Sequence, residues 1–144
     1  MSFQWLQMRI SEEADRRKRE ADIIERLPRV LEEVHQALVL CAQNYAQAFG
    51  PQSIELNFQN QMIRVTVREM FAGKWLGSGK VEVTAIPKPL GLHIDRNGDP
   101  LDIEVGLLPG DRIFYKDGDK FLTIDELTRR ILDRVMFPKL AAES

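Results

Sequence analysis

The chain has 144 residues, of which 44% are apolar and 29% charged, and its formal net charge is −2. These values fit one globular domain that buries a core without disulfides, and they argue against a general nucleic-acid binder, which needs uncompensated Lys and Arg. Cys41, the single cysteine, cannot form an internal disulfide, and no apolar run approaches the ~20 residues that span a bilayer. We therefore expect a cytoplasmic protein without a membrane span.

Residues 3–49 have a helical pattern that Gly50-Pro51 ends. Pro28 lies inside this stretch, so the pattern predicts either one kinked helix or two helices. A seven-residue apolar repeat begins at Ile24 and predicts the face that packs on the rest of the domain. Its members are Ile24, Leu27, Leu31, Val34, Leu38, Cys41, Tyr45 and Ala48.

The segment before this repeat is different in character. Residues 11–20 contain one apolar residue, Ala14, and the basic run at 16–19 has acids four residues before it, which is typical of a solvated helix face. Apolar residues return at the tip, at Phe3, Trp5, Leu6, Met8 and Ile10. We predict that residues 1–23 form a polar helical arm that docks on another surface, ahead of a single domain at 24–138 and a tail at 139–144.

Seven strands are predicted downstream, at 53–59, 62–70, 79–87, 91–96, 101–105, 112–116 and 120–122. Turns at Asn60-Gln61, Asn97-Gly98 and Asp117-Gly118 predict three hairpins, with the following pairs. Ile54, Leu56 and Phe58 face Val67, Val65 and Ile63; Leu92 and Ile94 face Ile103 and Leu101; Phe114 faces Phe121. The resulting antiparallel sheet has one buried face.

A final helix is predicted at about 124–137, where Thr123 and Glu126 form a capping box. The fold class is therefore α+β. The long N-terminal helix and the C-terminal helix pack on an antiparallel, mostly meandering sheet.

Two stretches imitate ligand-binding motifs without fulfilling them. The loop at 73–80 is spaced wrongly for a phosphate loop, and Val81 stands where Ser or Thr would bind magnesium. It carries Trp75, an aromatic residue of the kind that anchors partners. Asp95, Asn97 and Asp99 alternate as in a calcium loop, but Pro100 occupies the required glycine position. No metal or cofactor is predicted.

His93 is the best catalytic candidate. The hairpin register places it opposite Asp102, with Asp95 on the same face, and a His oriented by a carboxylate is half of a nucleophilic site. The sequence shows no evident nucleophile; Ser78, Thr84 and Tyr115 are the available hydroxyls. An exposed cross-strand His–Asp pair without catalytic role is the alternative interpretation.

Residues 89–135 contain a motif series that resembles the C-terminal half of a PDZ domain. The matching segments are Gly106-Leu-Leu-Pro-Gly-Asp-Arg-Ile113, Asp117-Gly118 and Thr123-Ile-Asp-Glu-Leu127, and Pro89-Leu-Gly-Leu92 is similar to the carboxylate-binding loop. The resemblance implies that the amides of Leu90, Gly91 and Leu92 hold a peptide C-terminus, and that the peptide adds a strand beside 92–95. Only eleven residues separate Ile94 from Gly106, fewer than that family has there.

The leading functional prediction is a non-catalytic interaction or scaffold protein that binds itself or a partner protein through the N-terminal helix. A small-molecule binder or enzyme with a helix–sheet pocket near His93 is the first alternative. PDZ-like capture of peptide C-termini is the second.

Overall fold

The computed structural model describes residues 3–87, 90–109 and 112–143. It has three helices and seven strands, in the α+β arrangement predicted. The helices are α1 Gln4–Phe49, α2 Ile124–Met136 and α3 Pro138–Glu143. The strands are β1 Ile54–Gln59, β2 Met62–Phe71, β3 Lys74–Pro87, β4 Leu90–Arg96, β5 Asp99–Leu108, β6 Arg112–Asp117 and β7 Lys120–Leu122.

Helix α1 is a single helix of 46 residues that continues through Pro28. Proline removes one backbone donor and therefore one hydrogen bond of the helix, and its ring is exposed here. Of the two possibilities for residues 3–49, the structure thus has one helix. Residues 139–143, predicted as a tail, belong to the short helix α3.

The sheet is an antiparallel meander in which each strand pairs with the next along the chain. The first two predicted hairpins are confirmed: Ile54 pairs with Val67, and Ile94 pairs with Leu101. At their turns Asn60 and Asn97 both have positive φ, at 53° and 54°. In both hairpins, the turn residues favour one register, and the alternation of buried and exposed side chains favours the same register.

The predicted register of the third hairpin is wrong. Phe121 pairs with Lys116 instead of Phe114, and the turn is formed by Gly118 and Asp119. This register places Tyr115 opposite Leu122, and both side chains are buried. Burial of this pair outweighs the preference of an Asp-Gly dipeptide for the turn centre. The rings of Phe114 and Phe121 still meet diagonally, with centroids 5.4 Å apart.

The predicted loop at 73–80 is also wrong, because β3 begins at Lys74 and pairs with β2 along this stretch. Ala72 and Gly73 supply the positive φ angles of the turn, at 51° and 77°. A bulge between Val67 and Arg68 takes up the extra residue, Ser78.

The core lies between the sheet and the two longer helices. Leu31 and Leu38 of the α1 repeat are fully buried, as predicted, and α2 contributes Leu127 and Ile131. Ile24, predicted as the first core residue of the repeat, is 41% exposed, so burial begins at Leu27. The predicted capping box is present: Thr123 Oγ1 accepts from the Glu126 amide at 3.1 Å, and Glu126 accepts from the Thr123 amide.

Candidate functional site

The first part of α1 extends beyond the domain as an arm, defined here as residues 3–26. Leu27 is the first residue of α1 that the domain buries. At 1.5 Å per residue, the arm projects Phe3 about 36 Å from Leu27. A helical segment of this length gains little stability by itself, because most helical stability comes from packing.

Charged side chains cover the middle of the arm and pair within it. Arg16 donates to Glu13 at 2.7 Å and also contacts Glu20, while Arg17 donates to Glu13 at 3.2 Å. These hydrogen bonds from Arg16 and Arg17 lower the pKa of Glu13 to about 2. The basic run is therefore compensated by acids on the same helix, as the sequence predicted, and the arm has no excess of positive charge for nucleic acid.

The tip of the arm, residues 3–10, is apolar and exposed. Its exposed fractions are Phe3 56%, Trp5 67%, Leu6 41%, Met8 64% and Ile10 58%. At 100° per residue, Phe3, Leu6 and Ile10 lie within about 60° of each other around the helix axis, and Trp5 and Met8 lie roughly 160° away on the opposite side. The tip thus has two apolar faces, as in a helix that packs between two surfaces.

A cleft of about 740 Å³ lies between the base of the arm and the sheet. Ile23 lines it from the arm, and Ile86, Leu107 and Phe114 line it from the sheet. All four side chains are only partly buried. Charged side chains share both walls with these apolar ones: Arg16 and Glu20 on the arm, and Asp102, Glu104 and Lys116 on the sheet. The volume of the cleft is in the range of ligand-binding cavities.

The sequence identified the tip but not this cleft. Ile23 precedes the repeat that begins at Ile24, Leu107 falls within the PDZ-like motif, and Phe114 falls within a predicted hairpin. Only the path of α1 over the sheet brings them together. No local signal in the sequence could have indicated it, because the walls come from segments more than sixty residues apart.

The structure brings His93 and Asp102 together as the hairpin register predicts. His93 Nδ1 and Asp102 Oδ1 are 2.6 Å apart, and both side chains are substantially exposed. Asp95 instead accepts from the Gly98 amide at 2.7 Å, which is the role of an Asp before a turn. Asp102 also lines the margin of the cleft.

The three hydroxyls considered as nucleophiles either donate hydrogen bonds to backbone carbonyls or are buried in the core. Thr84 Oγ1 donates to the carbonyl of His93 at 3.5 Å, and Ser78 Oγ donates to the carbonyl of Val67 at 3.3 Å. Tyr115 is 3% exposed within the core, where burial raises the pKa of its hydroxyl. The geometry thus offers a His–Asp pair without an adjacent activated hydroxyl among the described residues.

The remaining predicted binding residues lie in ordered strands. Trp75 is paired with Met70 and half-buried, and its ring lies beside Gly50 at the end of α1. Gly91 and Leu92 belong to β4, which pairs with β3 on one side and β5 on the other. A peptide strand beside 92–95 would need an open edge, and both edges are occupied. Leu90 is the first residue of β4; Pro89 lies outside the described residues.

A second cleft, of about 390 Å³, lies along α2. Five cationic side chains line it: Arg96, Lys120, Arg129, Arg130 and Arg134. Each of them already has a carboxylate partner: Asp99 for Arg96 and Arg134, Glu126 for Lys120, Asp133 for Arg129 and Asp117 for Arg130. We assign no ligand to this cleft.

Neither a group of metal-ligating side chains nor a membrane-spanning helix is found among the described residues. No three His, Cys, Asp or Glu side chains of residues 3–87, 90–109 and 112–143 are grouped so that they could hold a metal ion. His35 instead packs against Phe58, with ring centroids 4.8 Å apart. In the same part of the chain, no helix is both long and apolar enough to cross a membrane.

Comparison with known proteins gave no match to a family model, to a curated protein or to a solved structure. The resemblance to PDZ domains therefore stays a prediction.

Proposed function

We propose that this protein is a non-catalytic interaction or scaffold protein that self-associates through its N-terminal arm. The observation that carries the proposal is the apolar tip, which is exposed on both sides at the end of a helix with little else to support it. Fully burying one large apolar side chain is worth about 1.5–3 kcal/mol, so five such side chains supply a strong drive to associate.

The paired charges in the middle of the arm support the same proposal. They keep the helix soluble and regular between the domain and the tip, and they limit unspecific aggregation of the apolar end.

The test is the molar mass in solution, measured by light scattering across a concentration series. We expect a species of twice the 16.6 kDa of one chain or a larger oligomer. Removal of residues 1–20 should yield the monomer with unchanged strand content by circular dichroism. If the 144-residue protein stays monomeric at high micromolar concentration, self-association is refuted.

A matched pair of point variants distinguishes the contribution of the tip to association from that of any other exposed leucine. Leu6→Asp should weaken association at least tenfold, because each dimer buries two copies of the tip and tenfold corresponds to about 1.4 kcal/mol. Leu40→Asp places the same charge at another exposed leucine of the same helix and should leave the association unchanged. Equal effects of the two variants would contradict the assignment of the interface to the tip.

One observation favours a second candidate, a small-molecule-binding protein. The cleft has the size of a ligand pocket, and Asp102, the partner of His93, lies at its margin. Ligand-observed NMR with a fragment library would test it. Fragments that bind the wild type and lose binding in the His93→Gln variant would support this candidate, and binding unaffected by that change would refute a role for His93.

A further inference from the structure

The tip and the cleft belong to one chain but cannot meet within it. Helix α1 is continuous from Gln4 to Phe49, so Leu6 lies about 26 Å along the axis from Ile23, the arm residue at the cleft. The two apolar faces of the tip are therefore exposed in the single chain, and the apolar side chains of the cleft are only partly buried. The tip cannot reach the cleft of its own chain, so a tip that fills this cleft must come from another molecule.

The charge pattern of the arm indicates that this molecule is a second copy. The seven-residue repeat, extended backwards from Ile24, passes through Glu20, Arg17, Glu13, Ile10, Leu6 and Phe3. If two arms run antiparallel about a two-fold axis at Asp15, this stripe faces itself. The axis places Glu13 opposite Arg17, Ile10 opposite Glu20, and Leu6 opposite Ile24, which is 41% exposed. Phe3 then lies at the level of Leu27, which its own domain already buries.

On the flanks of the stripe, the two-fold axis brings each side against the same side of the other copy, so Ala14 lies near Ala14 and Arg16 near Arg16. Glu13 and Glu20 of the same arm accept from each Arg16 and offset the like charges there. Asp15 itself is on the outer side of the helix, away from the partner. An antiparallel pair in this register thus joins Glu13 to Arg17 twice in the middle and Leu6 to Ile24 toward each end, with Ile10 against Glu20 between them.

The same register brings the tip to the cleft. Residues 3–10 of one arm lie along residues 20–27 of the other, and Ile23 in that segment forms one wall of the cleft. Phe3, Leu6 and Ile10 face the other arm. Trp5 and Met8, on the opposite side of the tip, then face the sheet wall at Ile86, Leu107 and Phe114.

We infer that two copies exchange arms, with the arms antiparallel about Asp15 and the apolar tip of each seated in the arm–sheet cleft of the other. The inference rests on the proposed self-association and adds its geometry and its receptor surface. It explains why the tip is apolar on two sides: one side packs on an arm and the other on a sheet.

Chemical crosslinking tests the antiparallel register. In a Cys41→Ala background, a single cysteine is placed at Ala14 or at Gln7, which lie one repeat apart on the same flank of the helix. In the antiparallel pair the two copies of residue 14 are about 3 Å apart along the axis and those of residue 7 about 24 Å. A short bis-maleimide should therefore link the Ala14→Cys dimer and not the Gln7→Cys dimer. Linkage of both would show parallel arms and overturn the inference while leaving self-association intact.

Intermolecular NMR broadening tests the seating of the tip. Copies carrying a nitroxide at Met8→Cys are mixed with isotope-labelled copies that lack it, both in the Cys41→Ala background. The amides of Gly106 and Leu107 at the cleft should broaden, and that of Asn60, at the β1–β2 turn, should not. Broadening confined to the arm would show paired arms with an empty cleft and would overturn the inference.

A variant pair completes the test. Leu107→Asp should weaken dimerisation at least tenfold, and Leu76→Asp, on β3 away from the cleft, should not. Equal dimerisation of both variants overturns the seating of the tip. A wild-type protein that is monomeric in the same measurement refutes the proposed function itself.

Discussion

Substitution of Gly91 by alanine is the prediction that most depends on the tertiary structure. A Cβ atom built at Gly91 would lie closer than 3.0 Å to the carbonyl oxygen of Ile103, and 3.2 Å from the carbon of that carbonyl. Ordinary contact begins at about 3.4 Å. The obstacle is backbone of the neighbouring strand β5, so no side chain can rotate to make room.

The cost follows from what would have to move. Strand β4 pairs with β3 and β5 on its two sides, so a shift of Gly91 disturbs both ladders. Overpacking in well-packed regions costs about 1–3 kcal/mol of unfolding free energy. We expect Gly91→Ala to lie at the upper end of this range, because the obstacle is backbone and because β4 is paired on both sides. In a protein whose total stability is roughly 5–15 kcal/mol, this is a large fraction.

Gly77→Ala is the matched control. Gly77 also lies within a strand, has ordinary backbone φ, and has nothing within 4 Å of a Cβ built on it. Alanine there should be neutral or stabilise slightly, because it restricts the unfolded chain. Free energies of unfolding from urea titrations of both variants, compared with the wild type, measure the difference.

The result that would refute this reasoning is equal stability of the two variants. It would mean that β4 and β5 separate easily at Gly91. If Gly91 were instead chosen for a peptide-binding loop, as the resemblance to PDZ domains implies, alanine would leave the fold intact and affect binding alone.

Two further predictions concern the core and the start of α2. Leu38→Ala should cost about 2–5 kcal/mol in denaturant unfolding, because Leu38 is fully buried. Leu40 lies on the same helix and is 62% exposed, so Leu40→Ala should cost less than about 0.5 kcal/mol. Similar losses for the two variants would show that another face of α1 packs on the sheet. Thr123→Ala should cost about 1 kcal/mol by removing the cap of α2. The hydrogen bond from the Thr123 backbone amide lowers the pKa of Glu126, and the Lys120 side chain lowers it further. The stability that the Glu126 carboxylate adds is therefore complete above its unfolded-state pKa. This stability is lost as pH falls through the lower folded-state pKa. The difference in unfolding free energy between the wild type and Glu126→Gln should therefore be largest near neutral pH and vanish in acid, and a difference independent of pH would contradict this role.

The sequence predicted the parts of the fold that local chemistry controls. The Asn60 and Asn97 turns sit between alternating strands, and in both cases the turn residues and the burial pattern demand the same register. The capping box at Thr123 is likewise local. Where two local signals agreed, the prediction held, because no tertiary contact opposed them.

The prediction failed where a tertiary contact opposed the local signal. Asp117-Gly118 is a good turn sequence, but the joint burial of Tyr115 and Leu122 moved the turn by one residue. The stretch from Lys74 to Gly79, with its glycines, looked like a loop, but β2 supplies pairing partners along it. Pairing energy from a neighbouring strand is not visible in the residues that receive it.

For the candidate site, the sequence by itself determined the arm: a polar helix with paired charges and an apolar tip follows from residue order and helical period alone. It also determined the cross-strand contact of His93 with Asp102 through the hairpin register. Only the tertiary structure decided that α1 runs unbroken through Pro28, which keeps the tip away from its own domain. It alone placed Ile23 across a cleft from Leu107 and Phe114. Helical period and turn chemistry act over a few residues, whereas a cleft depends on how distant elements pack, and no short stretch of sequence encodes that packing.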